Sequence, residues 1–261
     1  MRTKLTSQLI LAIAISFIFI ACGQDEKKAD EAKAADTAAA AKPDTAKASA
    51  AATIPDAVKG APDLYKVLAD SAGIRILEAT YKPGDSSVLH SHPDYAVYTL
   101  EGGTSEFITK DGKKEVRELK TGNERIVPGD VHSVKNIGKT TEKILLIETT
   151  RPQGAATAAN PMDATKIAGN LYKSKVDSMG IRILEATYKP GQSSAMHSHP
   201  DLAMYVIAGG NTEFTTKDGK KVVMDMKPGT AAIAPADTHS VKNIGKTTTI
   251  VLLVEVTRPL K

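Results

Sequence analysis

The sequence predicts an all-β chain made of two tandem jelly-roll barrels behind a disordered, Ala/Lys-rich tether. Three observations carry this. Residues 56–152 align on residues 163–259 without a gap, with roughly three positions in five identical. Each copy is a train of short alternating or apolar segments cut by turn residues, the pattern of a β-sandwich or barrel. All six histidines fall into two matching trios, His90, His92 and His132, then His197, His199 and His239, about 107 residues apart. The domains expected are residues 56–152 and 163–261, joined by a linker over residues 153–162.

Ahead of the repeats, Arg2 and Lys4 precede an apolar run from Leu9 to Ala21, the layout of an export signal over residues 1–21. That run is short for a membrane span. Phe19-Ile20-Ala21-Cys22 resembles the bacterial lipobox, in which the cysteine is lipidated and becomes the first residue; Phe19 departs from the usual Leu. Cys22 is the only cysteine, which excludes disulfides. Residues 22–55 are largely Ala, Lys, Asp, Glu and Thr, have little to bury, and read as a disordered tether. Gln24-Asp25-Glu26 is either a surface-sorting signal or a solvated charge run.

A net charge of +4 and a pI near 8.9 are modest, and basic residues are not clustered with aromatics, so no nucleic-acid partner is expected. The densest basic points, Lys110 to Lys114 and Lys217 to Lys221, surround Asp-Gly hairpin turns. They serve either as solvated flanks or as weak contacts to anionic polysaccharide or lipid headgroups.

In the first copy the expected strands are 74–81, 87–92, 96–100, 104–109, 115–119, 124–127, 131–136 and 143–149. Lys82-Pro83-Gly84, Gly102-Gly103, Asp111-Gly112 and Pro128-Gly129 separate them. About eight strands in about a hundred residues suits one small jelly roll. Alternation turns His90 and His92 to the same face, and His132 would join them from a strand adjacent in space.

Two motifs then match. Gly84, His90, His92 and Gly103 fit Gly, five residues, His-x-His, and a later Gly; Gly122, Pro128, His132 and Asn136 fit Gly, five residues, Pro, a turn, His, three residues, Asn. Gly191, His197, His199, Gly210, Gly229, Pro235, His239 and Asn243 repeat both. In these residues the sequence resembles the cupin superfamily, as two tandem cupin type-2 domains, a bicupin behind a lipoprotein signal. The resemblance implies the double-stranded β-helix barrel and a divalent metal held by the six histidines.

The glutamate that cupins often add as a fourth ligand falls at Ala96 and Ala203. A three-imidazole set suits Fe, Zn, Ni or Cu better than Mn. Cupins of that kind include iron-dependent dioxygenases, whereas oxalate decarboxylases use the missing glutamate. Asp94 and Asp201, two residues past each His pair, are either additional ligands or turn residues set apart by Pro93 and Pro200. Tyr98 and Tyr205, assigned inward parity, are either catalytic phenols or core residues. Asn136 and Asn243 are expected to brace the third histidine's strand.

No phosphate loop, zincin motif or nucleophile elbow is present, so any catalysis would have to come from the metal. The expected function is an envelope-anchored, lipid-attached bicupin with one metal per barrel and an unidentified small-molecule partner, an iron-dependent dioxygenase being one form of it. The alternative is a non-catalytic small-ligand or sugar-binding module. A homodimer is compatible with either.

Overall fold

The computed structural model describes residues 53–154 and 160–260. The expected export signal, Cys22 and nearly all of the tether lie outside those residues, as does the middle of the linker. In the first repeat α1 (Ala57–Gly60) precedes β1 (Tyr65–Ser71), β2 (Ile74–Tyr81), β3 (His90–His92), β4 (Asp94–Glu101), β5 (Gly103–Thr109), β6 (Lys114–Leu119), β7 (Glu124–Val127), β8 (Asp130–Asn136) and β9 (Glu142–Thr149). The second repeat follows the same plan. Its elements are α2 (Ala164–Ile167), β10 (Tyr172–Ser178), β11 (Ile181–Tyr188), β12 (His197–His199), β13 (Leu202–Ala208), β14 (Asn211–Thr216), β15 (Lys221–Asp225), β16 (Ala231–Ala234), β17 (Asp237–Asn243) and β18 (Thr249–Val256).

Each repeat folds into a five-stranded sheet facing a four-stranded one, β1-β2-β9-β4-β7 over β3-β8-β5-β6 and β10-β11-β18-β13-β16 over β12-β17-β14-β15. The expected all-β pair of jelly rolls is present. The expected strands are present too, apart from shifted ends, and the sequence reading passed over β1, β10 and the two short helices. In β1 exposed residues break the alternation, and a register shift between Val67 and Ala69 interrupts its ladder with β2. The β1–β2 turn is Ala72-Gly73, both at positive φ, a two-residue hairpin connection in a chain where Asp-Gly and Pro-Gly had drawn attention.

The five-stranded sheets are apolar on both faces, which explains near-continuous runs such as Ile74-Arg75-Ile76-Leu77. Leu77, Ala79, Tyr81 and Leu146 fill the first barrel together with Tyr65, Tyr95 and Val97. Ile74, Ile76, Ala96, Leu145 and Ile147 point the other way, and pack in one cluster with Ile181, Ile183, Ala203, Leu252 and Val254 of the second barrel. The two barrels thus bury one sheet of each against the other, as in a sandwich.

A pair of crossed interactions closes this contact. Arg151 Nη2 donates to Asp201 at 2.8 Å and Arg258 Nη2 to Asp94 at 2.8 Å, while each guanidinium also donates to the other arginine's carbonyl at 3.2 Å. The Nε atoms of Arg151 and Arg258 hold the carbonyls of Ala72 and Met179, the two non-glycine residues at positive φ among the described residues. Buried guanidiniums with every partner fixed add little net stability but define one relative placement of the barrels.

If the contact is a core rather than a surface, Leu145→Ala and its twin Leu252→Ala should each cost about 2–5 kcal/mol, as buried leucines do. Denaturant melts of the two variants should agree closely. A loss near zero, as expected for an exposed leucine, would contradict the packing.

Candidate metal and ligand site

Within each barrel, the three histidines converge. β3 pairs with β8 so that His90 stands directly opposite His132, and β12 pairs with β17 so that His197 stands opposite His239. Nitrogens of His90, His92 and His132 lie within 4.8 Å of one another, and the same holds for His197, His199 and His239. The ring centroids of the first trio are 4.9, 4.9 and 5.2 Å apart.

One nitrogen of every imidazole is already committed. His90 Nδ1 lies 2.8 Å from the Val88 carbonyl, His92 Nδ1 2.6 Å from Glu148 Oε1, and His132 Nδ1 3.0 Å from Asp130 Oδ2. The second barrel repeats this with Ala195 at 2.8 Å, Glu255 at 2.7 Å and Asp237 at 3.2 Å. Each partner is an acceptor, so Nδ1 carries the proton and Nε2 keeps its lone pair. Burial pushes His90 and His197 down to about 4, so both rings are neutral at pH 7.

Those lone pairs turn inward with little to bind. His92 Nε2 and His197 Nε2 are buried and have no hydrogen-bond partner among the described residues. His90 Nε2 meets the Tyr65 hydroxyl at 3.0 Å, and Tyr65 in turn accepts from Tyr81 at 3.0 Å. Three neutral imidazoles held in one tautomer by outer acceptors are the donor set of a transition-metal site, and the residues present therefore fit such an ion.

The other expected site residues are placed elsewhere. Tyr98 and Tyr205 pack on the cluster between the barrels, not on the histidines. At Pro93 the chain leaves the four-stranded sheet for the five-stranded one, and the count of faces restarts. On β4 the inward residues are consequently Tyr95 and Val97, and Ala96 looks outward at the second barrel. Asp94 and Asp201 are not near-ligands either: Asp94 accepts from Gly129 N, Gln153 and Arg258, and Asp201 from Ala236 N and Arg151. Asn136 braces as expected, holding the carbonyls of Tyr81 and Thr140 at 2.9 and 2.8 Å, and Asn243 does the same.

Several site residues escaped the sequence reading: Tyr65 and Tyr172 beside the histidines, Glu148 and Glu255 behind them, and Arg75 and Arg182 behind those. Their verbatim recurrence in both repeats was the available signal. It was blunted by so much else recurring too.

Comparisons with known proteins bear on the fold. Residues 184–255 match the family described as Cupin domain. The crystal structure of AerE from Microcystis aeruginosa superposes with a TM-score of 0.55 at 15% identity, covering 74% of this chain and 91% of that one. Both barrels have the cupin fold. Lactobacillus farciminis oxalate decarboxylase in its formate complex gives a TM-score of 0.50 at 14% identity, covering 72% of this chain and 78% of that one. The salicylate 1,2-dioxygenase from Pseudaminobacter salicylatoxidans gives 0.50 at 9% identity, covering 74% and 76%. No curated protein matches the chain in sequence.

The two cupin barrels differ inside. The first holds a cavity of about 460 Å³ bordered by His132, Tyr65, Tyr95, Arg117, Arg125 and, at its far end, Glu142. In the second, Met226, Val206 and Leu202 fill the core, with Met204, Met224 and Phe214 packed against them. Glu142 accepts from Ser105 at 2.5 Å through one oxygen, while the other is buried without a partner. Burial raises its pKa, opposed only by that hydrogen bond. A carboxyl whose folded pKa is raised favours the folded state at low pH and costs stability as pH rises past the ordinary carboxyl range. Glu142→Gln should therefore raise the melting temperature at pH 7 to 8, by roughly 2–4 °C per kcal/mol recovered. The gain should vanish toward pH 4, where the wild-type carboxyl is neutral as well.

Proposed function

We propose that the chain is an envelope-anchored bicupin that binds one divalent transition metal in each barrel, through His90, His92 and His132 and through His197, His199 and His239. The observation that carries this reading is the set of buried Nε2 lone pairs, above all those of His92 and His197, which nothing among the described residues satisfies. Leaving a polar atom buried and unpaired is costly, and a cation shared by three such atoms removes that cost. Fe, Zn, Ni or Cu suits neutral imidazoles, and Mn suits them less. A bound metal of this kind supplies Lewis acidity or oxygen activation at its open positions.

The chain's own residues set the conditions around it. Glu148 and Asp130 fix the tautomers of His92 and His132, and Glu255 and Asp237 those of His199 and His239. Tyr65, its own pKa raised by burial, offers a phenolic proton 3.0 Å from His90 Nε2. The fold likeness to a salicylate 1,2-dioxygenase and the three-histidine set support an iron-dependent dioxygenase as one form of the activity, and a non-catalytic small-ligand or sugar-binding module is the alternative. The lipobox-like residues up to Cys22 support lipid anchoring outside the cytoplasm, with a second copy of the chain as a compatible partner.

Metal analysis of the purified protein checks the reading. Wild type should hold close to two equivalents, His90→Ala or His197→Ala one, and the double variant none. Failure to bind any of Fe, Zn, Ni, Cu or Mn supplied in turn would sink it. Glu148→Gln removes the acceptor charge behind His92 and should weaken metal binding in the first barrel about 10–100-fold, leaving the second unchanged. For the anchor, mass spectrometry of membrane-extracted protein should show an acylated Cys22 that is lost in Cys22→Ser.

A further inference from the structure

The repeats share their histidines and outer acceptors but not what faces the space beside them. Arg125 and Arg117 of the first barrel correspond to Ala232 and Met224 of the second, Tyr95 to Leu202, and Thr99 to Val206. Arg125 pairs across the ladder with Val97, an inward residue, so its side chain enters the barrel from β7. Arg117 enters from β6, its guanidinium 4.4 Å above the Phe107 ring. β6 and β7 are the edge strands of the two sheets, and both arginines border the cavity.

Arg125 is the cation left over. Among the described residues its side chain has no ion pair or hydrogen bond, although it is only partly exposed. The acidic groups around the cavity are spoken for or turned away. Glu115 pairs with Arg117 at 2.8 Å; Glu124 faces out toward Lys175 at 3.9 Å; Asp130 accepts from His132 and Tyr95; Glu142 is held by Ser105 at the opposite end; Glu118 is exposed. Burial pulls the Arg125 pKa down and the Arg117 charge acts the same way, against an opposing pull from Tyr95, Asp130 and Glu115. Most of the remaining wall is apolar or aromatic, with Tyr65, Tyr95, Phe107 and Leu146 among it, and Thr99, Asn123 and His132 supply its polar points.

We propose that the first barrel alone is the ligand-binding barrel, and that its ligand is a small carboxylate with an apolar body, the carboxylate paired with Arg125 beside Arg117 and the body directed along the cavity toward the histidines. A planar guanidinium fork matches a carboxylate in two parallel hydrogen bonds, and a cavity of this size takes a ligand of small aromatic-acid dimensions. The second barrel, with alanine and methionine at those positions and its core filled, takes none. The assignment of the ligand's inner end to a metal rests on the function proposed above; the contact with Arg125 does not.

The probes are benzoate, phenylacetate and hexanoate, each against its neutral carboxamide, titrated by calorimetry into the full-length protein with and without metal. At least one carboxylate should bind at one equivalent per chain, and its carboxamide at least 10-fold more weakly. Arg125→Ala should weaken binding about 10–100-fold while metal content and melting temperature stay unchanged. Arg125→Lys should restore part of the loss, and Met224→Ala should leave carboxylate binding unchanged. Silence from all three acids, two equivalents per chain, equal binding of acid and amide, or wild-type affinity in Arg125→Ala would each overturn the proposal. Carboxylate binding that persists in protein unable to take up any metal would overturn the metal reading and leave this one standing.

Discussion

A buried carboxylate between an imidazole and a guanidinium holds each barrel's site in place. Glu148 accepts from His92 on one side and from Arg75 at 2.7 Å on the other, and Arg75 continues to Asp56, which caps α1. One chain of charges thus ties β2, β3, β9 and the segment before β1 together. Glu255, Arg182 and Asp163 do the same around His199. Taking such groups out of water costs several kcal/mol per ion, and only complete pairing offsets it, so the chain of contacts is all-or-none. Its chemical consequence is direct: a carboxylate at Nδ1 requires the proton there, which leaves Nε2 with a free lone pair facing inward.

Much of this architecture was legible in the sequence, because it depends on short-range signals. Verbatim repeats gave two domains, period-two alternation gave the strands, and His-x-His turned two imidazoles to one face. What failed was parity carried across a sheet change. Counting from His92 through Pro93 puts Tyr98 inside, yet β3 and β4 belong to different sheets, so Tyr95 and Val97 face in and Tyr98 faces the other barrel. Ala96, read as the vacated position of a metal-binding glutamate, is instead a small residue that lets two sheets approach. Glu148 was illegible for another reason. It meets His92 across 56 residues of chain, and within its own strand it looks like any charge at a strand end.

The contact between the barrels explains the remaining surprises. A sheet covered on both faces needs apolar residues at both parities, which is why β2, β9, β11 and β18 are apolar on alternate and intervening positions alike. Asp94 and Asp201 follow from the same geometry. They sit where the chain leaves β3 and β12, at the rim of the contact, and the arginine that closes each repeat reaches across to the other repeat's aspartate. Asp94 and Asp201, read either as ligands or as turn residues, thus fix one barrel on the other.

Duplication supplied two equal shells, and substitution then acted unequally within them. A group that hydrogen-bonds Glu148, Arg75 or a histidine cannot change alone, because each change strands a buried charge or lone pair. Arg117, Arg125 and Thr99 make no side-chain hydrogen bond to that shell and carry no such penalty, and Tyr95, which packs on His92 and donates to Asp130, leaves Asp130 its bond to His132 when it is exchanged. Exchanging them for Met224, Ala232, Leu202 and Val206 exchanges a polar cavity for apolar packing at no cost in unpaired charge. The second barrel therefore keeps the acceptor behind each of its histidines, while gaining the dense core that suits a support for the first. In a fused pair, stability need be supplied only once. The more apolar repeat can supply it, leaving its twin to hold an unpaired guanidinium and a cavity that would weaken a barrel standing alone.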